Sequence, residues 1–222
     1  MNATAKPSHD EPSRAEDSDA EDLAARVDRL MADSVGAIES ARRTLPRAVA
    51  QAGVALADAL ARGGKVLICG NGGSASDSLH FSSELLNKFD RARRPLAAVS
   101  LVADVAALTS IANDEEYDAV FAKQVEALAR RGDVLVVITS SGDSPSILRA
   151  ARAAQACGIR CIALNGKGGG ALSPLLRDHD GDSGDDIDLV APADSTARVQ
   201  EIHAILIHAL CELIDHQLFG EL

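Results

Sequence analysis

The sequence predicts an α/β fold: a doubly wound five-stranded parallel sheet flanked by helices, with an N-terminal helical extension. Three observations carry this prediction. Five short apolar runs recur along the 222 residues, at 65–69, 96–101, 133–138, 159–164 and 187–191. Stretches with helical spacing separate them, and strands that alternate with helices pair in parallel and are covered on both faces. Polar turns rich in Gly, Ser and Asn follow the first and third runs, at strand ends where open parallel sheets bind ligands.

Residues 1–20 mix Pro, Ser, Asp, Glu and Ala without periodicity and read as a disordered acidic tail, leaving 21–222 for the folded domain. Leu23, Val27, Leu30, Val35 and Ile38 recur at helical spacing, and Pro46 breaks the pattern, so a second helix is expected near 46–61. The first strand run leads into Gly70-Asn-Gly-Gly-Ser-Ala-Ser76, read as a loop, and then a helix to about Phe89. After the second strand come helical segments near 104–111 and 116–130. The third strand runs into Thr139-Ser-Ser-Gly-Asp-Ser144, and Pro145 marks the start of a helix over 145–156. The fourth strand ends at Asn165-Gly166 and a glycine-rich loop. The fifth is followed by a long apolar helix from about Thr196 to Leu218. Aromatic residues make up only 2% of the chain, so Ala, Val, Leu and Ile must fill the core and helices can pack closely.

The net charge of −11 is uneven. Residues 1–22 carry seven acids and two bases, and residues 178–188 carry six Asp and no base, which together account for all of it. The second segment reads as a solvated surface loop inserted before the last strand. Nothing is basic enough for a nucleic-acid footprint. Cys69, Cys157, Cys161 and Cys211 lack zinc-knuckle spacing and read as free thiols of a reducing compartment. With no apolar signal core and no run of 18 apolar residues, a cytoplasmic protein with no membrane partner is expected.

Four constellations could carry chemistry. The Gly70–Ser76 turn lets backbone approach an anion at a helix N-terminus, and it lacks the spacing of a GxGxxG dinucleotide fingerprint. The Thr139–Ser144 turn clusters hydroxyls with backbone N–H groups, which cradle phosphate without Lys or Arg. His80 and Glu84, four apart, share one helix face and can share a metal ion or a proton path, or form an ordinary surface pair. On the last helix, Gln200 and His208 lie eight apart, about 80° around and ~12 Å along it. That is near the limit for reaching one ion, and the alternative is a site shared between subunits.

Cys69-Gly-Asn-Gly-Gly-Ser-Ala-Ser76, His80 with Glu84, Ile111-Ala-Asn-Asp114, Thr139–Ser144 and Ser195-Thr-Ala-Arg-Val-Gln-Glu-Ile-His203 together resemble the SIS (sugar isomerase) fold of the sedoheptulose 7-phosphate isomerase (phosphoheptose isomerase) family, over about Leu30 to Phe219. The resemblance implies an aldose-ketose isomerase that converts sedoheptulose 7-phosphate to D-glycero-D-manno-heptose 7-phosphate through an enediol, the first step of heptose biosynthesis. It implies one zinc per site on His80, Glu84, Gln200 and His208, with Glu84 and His208 catalytic. The phosphorylated heptose would be held by Asn71, Gly72, Gly73, Glu84, Asn113, Asp114, Thr139, Ser140, Ser141, Ser144 and Gln200. A homotetramer with sites at subunit interfaces is implied as well. The family's usual Ser-Thr-Ser-Gly-Asn-Ser turn reads Thr-Ser-Ser-Gly-Asp-Ser here, and Asp143 would weaken phosphate binding if it pointed inward. The alternative is a non-catalytic SIS-domain regulator that binds the bacterial replication initiator. In that relative the Glu and the late His are replaced, whereas this chain keeps Glu84 and His208.

Overall fold

A computed structural model describes residues 14–179 and 185–220. In chain order the elements are α1 (Arg14–Thr44), α2 (Pro46–Ala61), β1 (Val66–Gly70), α3 (Gly73–Leu86), β2 (Ala98–Ser100), α4 (Val105–Asp114), a 3-10 turn (Tyr117–Ala119), α5 (Ala122–Leu128), β3 (Val134–Ile138), α6 (Pro145–Ala156), β4 (Arg160–Gly166), a second 3-10 turn (Lys167–Gly169), α7 (Leu172–Arg177), β5 (Ile187–Ala191) and α8 (Thr196–Phe219).

The chain divides into two units, 1–36 and 37–222. In the first, the described residues belong to α1, and Leu23, Val27, Leu30, Met31 and Val35 are exposed. The helix begins at Arg14, which corrects the expected tail of 1–20; residues 1–13 of that tail lie outside the described residues. Ala15, Glu16, Ala20 and Glu21 are strong helix formers, and their propensity extends the helix upstream of its apolar stripe.

The second unit holds a five-stranded parallel sheet in the order β2-β1-β3-β4-β5. Strand side chains alternate between faces, and each face has its own core. Val66, Ile68, Val134, Val136, Ile162 and Leu164 point to α2, α3 and α8, while Leu67, Cys69, Leu135, Val137, Cys161 and Ala163 point to α5, α6 and α7. Burial on both sides explains why these strands read as unbroken apolar runs. Two of the few aromatics are fully buried, one per face: Phe81 on α3 and Phe121 before α5. Elsewhere close helix contact replaces bulk. A Cβ added at Gly53 of α2 would come within 2.8 Å of Leu213 Cβ on α8.

Pro46, lacking an N–H and pre-set in φ, opens α2 at its first turn. The glycine-rich stretch after β4, expected as loop, holds the second 3-10 turn, and α7, which the sequence does not announce, follows it at Leu172. By length and composition α8 could cross a bilayer, yet Val199, Ile202, Leu206, Leu210 and Ile214 spend its apolar stripe on the core.

The acidic segment before β5 is only partly the solvated loop expected; residues 180–184 of it lie outside the described residues. The side chain of Asp186 is fully buried. It accepts hydrogen bonds from Cys161 N (2.7 Å) and Gln155 Nε2 (3.0 Å), tying the start of β5 to β4 and α6. Asp188, within β5, accepts from Ser173 Oγ and from Asn165 Nδ2 (3.2 Å). Burial pushes its carboxyl above the usual carboxylate range, against the lowering effect of those bonds. These two acids belong to the fold rather than to the solvent.

Candidate active site

The strand order reverses direction between β1 and β3, because the chain places β2 on one side of β1 and β3, β4 and β5 on the other. The crevice beyond the carboxyl ends at such a reversal is where ligands bind in open α/β sheets. Both polar turns stand there.

The first turn is shorter than expected. Ser74 N donates to Asn71 O and Ala75 N to Gly72 O, so Gly73–Ser76 already belong to α3. Gly72 sits at φ +56°, a conformation that favours glycine, and no side chain caps the helix behind it. Asn71 joins the two turns. Its Nδ2 donates to Ser144 Oγ and to Ser146 Oγ, each at 2.9 Å, and its Oδ1 accepts from Tyr117 O–H at 2.7 Å. Ser144 is the N-cap position of α6 but makes no capping bond, since its hydroxyl is turned to Asn71. Beside this bridge, Gly72, Ser76, Thr109, Ala112 and Tyr117 line a cleft of ≈430 Å³ between α3 and α4.

The remaining predicted turn residues are placed as follows. Thr139 is buried, and its hydroxyl accepts from Gly142 N at 3.3 Å, within its own turn. Ser140 and Ser141 are half-buried. Asp143 points away from the bridge: its Oδ1 accepts from Ala171 N at 2.8 Å. Asn113 and Asp114 are exposed at the end of α4 and hydrogen-bond to each other at 2.9 Å.

The second half of the site is the seam between α3 and α8. Gly73, Asp77, His80 and Glu84 form one stripe of α3, about 100° from the Leu79 stripe that lines the cleft. His80 Nε2 lies 3.3 Å from Glu84 Oε1. Its ring meets His208 of α8 edge to face, with centroids 5.1 Å apart. The ring of Phe89 is tilted against His208, with centroids 5.6 Å apart. His80, Glu84 and His208, which is 124 residues after Glu84, thus converge within one chain. Gln200 does not join them. Its amide lies against Gly73, where an added Cβ would come within 2.3 Å of Nε2, seven residues or roughly 10 Å along α3 from His80.

Two imidazoles, a carboxylate and an amide are donor types that suit a borderline ion such as zinc. Among the described residues, however, no three His, Cys, Asp or Glu side chains stand as an assembled cluster. His80 and Glu84 face each other, and Gln200 is turned to Gly73. A single-ion set would require rotation of these side chains.

Tyr117, Ser146 and Asp77 escaped the sequence reading. Asp77 lies between the Gly73 and His80 contacts; burial raises its carboxyl, the charge of His80 lowers it, and its Oδ2 is buried without a hydrogen-bond partner. An acid three residues before His80 on a helix was the available signal. Tyr117 and Ser146 gave none, since only the strand order brings them to Asn71.

A parallel sheet with paired hydroxyl turns at its reversal point and a His/Glu/His seam behind them defines a sugar-isomerase-domain protein, and the SIS domain model matches residues 31–166. A phosphoheptose isomerase of Methylococcus capsulatus is 51% identical over 196 residues, covering 88% of this chain and 97% of that one. The structure of phosphoheptose isomerase GmhA from Neisseria gonorrhoeae superposes with a TM-score of 0.80 at 42% identity, covering 87% of this chain and 98% of that one. That of a phosphoheptose isomerase from Francisella tularensis gives 0.82 at 41%, with the same coverage. The chain belongs to the phosphoheptose isomerase family.

Proposed function

We propose that this protein isomerises sedoheptulose 7-phosphate to D-glycero-D-manno-heptose 7-phosphate, the opening step of heptose biosynthesis. The observation that carries the reading is the meeting of Glu84, His80 and His208 across the α3–α8 seam, in a chain whose relatives are phosphoheptose isomerases. The regulator reading is not favoured by those relatives.

The reaction moves a carbonyl from C2 to C1. Glu84 takes a proton from C1, the C–H electrons become the C1=C2 bond of an enediol, and O2 gains a proton. Glu84 then returns a proton to C2 while O1 loses its own. His208, opposite on α8, carries the proton between the two oxygens. The phosphate is held at the far end by Ser140, Ser141, Ser144 and the backbone of Gly72 and Gly73, with Thr139 and Asn71 shaping the turns. Asn113 and Asp114, on the rim, and Gln200 complete the sugar contacts. His80, Glu84, Gln200 and His208 would hold zinc, which when bound supplies a Lewis acid that polarises the carbonyl.

The exposed apolar residues of α1 support a homotetramer, as does the apolar groove of ≈470 Å³ lined by Ile38, Leu45, Val49, Ile205 and Leu213. Subunit packing is the use we assign to both, with sites at the interfaces. Four free thiols support a cytoplasmic location.

Purified protein incubated with sedoheptulose 7-phosphate should yield the aldose, followed by NMR, and lose that activity with a chelator and regain it with added zinc. No aldose from the zinc-loaded protein would overturn the reading.

A further inference from the structure

The seam between α3 and α8 is held at its far end by a buried ion pair that no part of the proposed chemistry uses. Arg93, in the segment after α3, is 1% exposed, and Asp215 of α8 is 6% exposed. Arg93 Nε donates to Asp215 Oδ1 at 2.5 Å. The rest of the guanidinium is spent on the C-terminus of α3: Nη2 donates to Glu84 O at 2.8 Å, and Nη1 to Leu85 O at 3.0 Å. These are carbonyls that the last turn of a helix leaves without intrahelical partners.

The spacing on α8 matters. His208, Cys211 and Asp215 are three and seven residues apart, one stripe of the helix. That stripe faces α3 at successive levels: His208 meets His80, Cys211 lies by Glu84, and Asp215 meets the arginine that grips the Glu84 carbonyl. The thiol of Cys211 reports the crowding. Burial, then the charges of Glu84 and Asp215, push it up to about 12. Apolar contacts along two helices are tolerant of sliding. A buried guanidinium that binds the Asp215 carboxylate on one helix through Nε and carbonyls of the other through Nη1 and Nη2 is not, and fixing register is the best attested use of buried ion pairs. Sliding or rotating α3 against α8 by an ångström would part His80, and the Glu84 paired with it, from His208.

The geometry points to Arg93 and Asp215 as positioning residues: their buried pair sets the register of α3 on α8 and so holds Glu84 and His80 against His208. Their contribution to turnover rests on the isomerase reading given above, whereas the geometric part does not. Lysine at 93 would keep the charge but cannot pair with Asp215 and reach the Glu84 and Leu85 carbonyls with a planar fork. Asparagine at 215 would keep the shape and leave the Arg93 charge unmatched.

Two measurements on Arg93→Lys and Asp215→Asn test the assignment. In each folded variant kcat should fall at least tenfold, since ångström-scale misplacement costs up to ~10²-fold. KM should stay within about twofold, because the phosphate turns lie at the other end of α3. A purely stabilising pair would lower the melting temperature and leave kcat of the folded protein intact. The second measurement is a crystal structure of each variant, in which the His80–His208 centroid separation of 5.1 Å should increase. Turnover within twofold of wild type, or an unchanged His80–Glu84–His208 arrangement, overturns the assignment. If Asp215→Asn fails to fold, Arg93→Lys decides. If the wild-type protein itself does not isomerise, the functional reading fails and the two structures still test the register.

Discussion

The two sides of α3 are built on different principles. On the cleft side, the turns after β1 and β3 are adjacent strand ends, and short polar side chains of one local segment each, Asn71 and Ser144, meet through a direct hydrogen bond. On the α8 side nothing is local: Glu84 and His208 come from helices 124 residues apart in the chain and are joined through His80 only because both helices pack on one face of the sheet. On the function proposed above, ligand holding on the cleft side is a matter of turn chemistry, and reactivity on the α8 side is a matter of helix register. Damage to the first should appear in KM and damage to the second in kcat.

The largest expected effect tests the second half of that statement. Glu84→Gln is nearly isosteric and leaves the seam packed, so kcat should drop by ~10²–10⁴-fold, the usual worth of a general base. Binding of the sugar phosphate, measured by calorimetry, should hardly change. Weak binding with intact turnover would reverse the assignment of the two sides. Next comes the cleft side itself. Asn71→Ala deletes both donors to Ser144 and Ser146 and the acceptor for Tyr117. At about 1 kcal/mol net per hydrogen bond, KM should rise roughly tenfold or more with a smaller loss in kcat. A fall confined to kcat would show that the bridge serves the seam.

The packing of α8 on the sheet, away from that seam, is where stability should respond to pH. His203 of α8 is buried, with its Nε2 at 2.9 Å from Asn165 O, and it anchors the helix to the end of β4. Burial lowers its pKa, an effect opposed by that backbone bond. The unfolded chain therefore binds a proton at this position more readily than the native one, so the contribution of the neutral ring is complete above about pH 6.5. It is lost as pH falls from there through the lowered native value. The urea midpoint should drop between pH 7.5 and 5.5, and drop less in His203→Gln. Equal drops in both proteins would move the effect to other groups.

These contrasts also separate what the sequence could reveal from what it could not. α6, β5 and the start of α8 stand within a residue of where the sequence places them, because Pro145 and the ends of clear apolar runs mark their boundaries. The start of α3 was read too late, at Ser76. Gly73 and Ser74 have poor helix propensity, so nothing local announces the first helical bonds, from Ser74 N to Asn71 O and from Ala75 N to Gly72 O. Asp186 and Asp188 looked like solvent residues because six acids in eleven positions read as a charge run; only the pairing of β4 with β5 shows that they fill donor groups inside the sheet. Candidate residues His80 and Glu84 were legible from their i,i+4 spacing. The contact with His208, and the Arg93–Asp215 pair behind it, depend on strand order and helix packing, which periodicity does not encode.

The smallest expected effect concerns Asp143, where the Thr139–Ser144 turn departs from the family pattern. A carboxylate aimed at a phosphate would raise KM, and Asp143→Asn would then improve binding severalfold. The side chain instead accepts from Ala171 N at 2.8 Å, across to the loop that leads into α7. Gly170 leaves room for it, since a Cβ there would come within 2.6 Å of Asp143 Oδ1. Asparagine can make the same bond through its own carbonyl oxygen, so Asp143→Asn should shift KM by less than about twofold, with stability changed by no more than the difference between a charged and a neutral acceptor, ~1 kcal/mol. Asp143→Ala removes the acceptor, so it should loosen the turn and raise KM more than Asp143→Asn does. If the two substitutions lowered KM equally, the carboxylate would be acting on the phosphate by charge, and the cleft side could not be treated as turn chemistry alone.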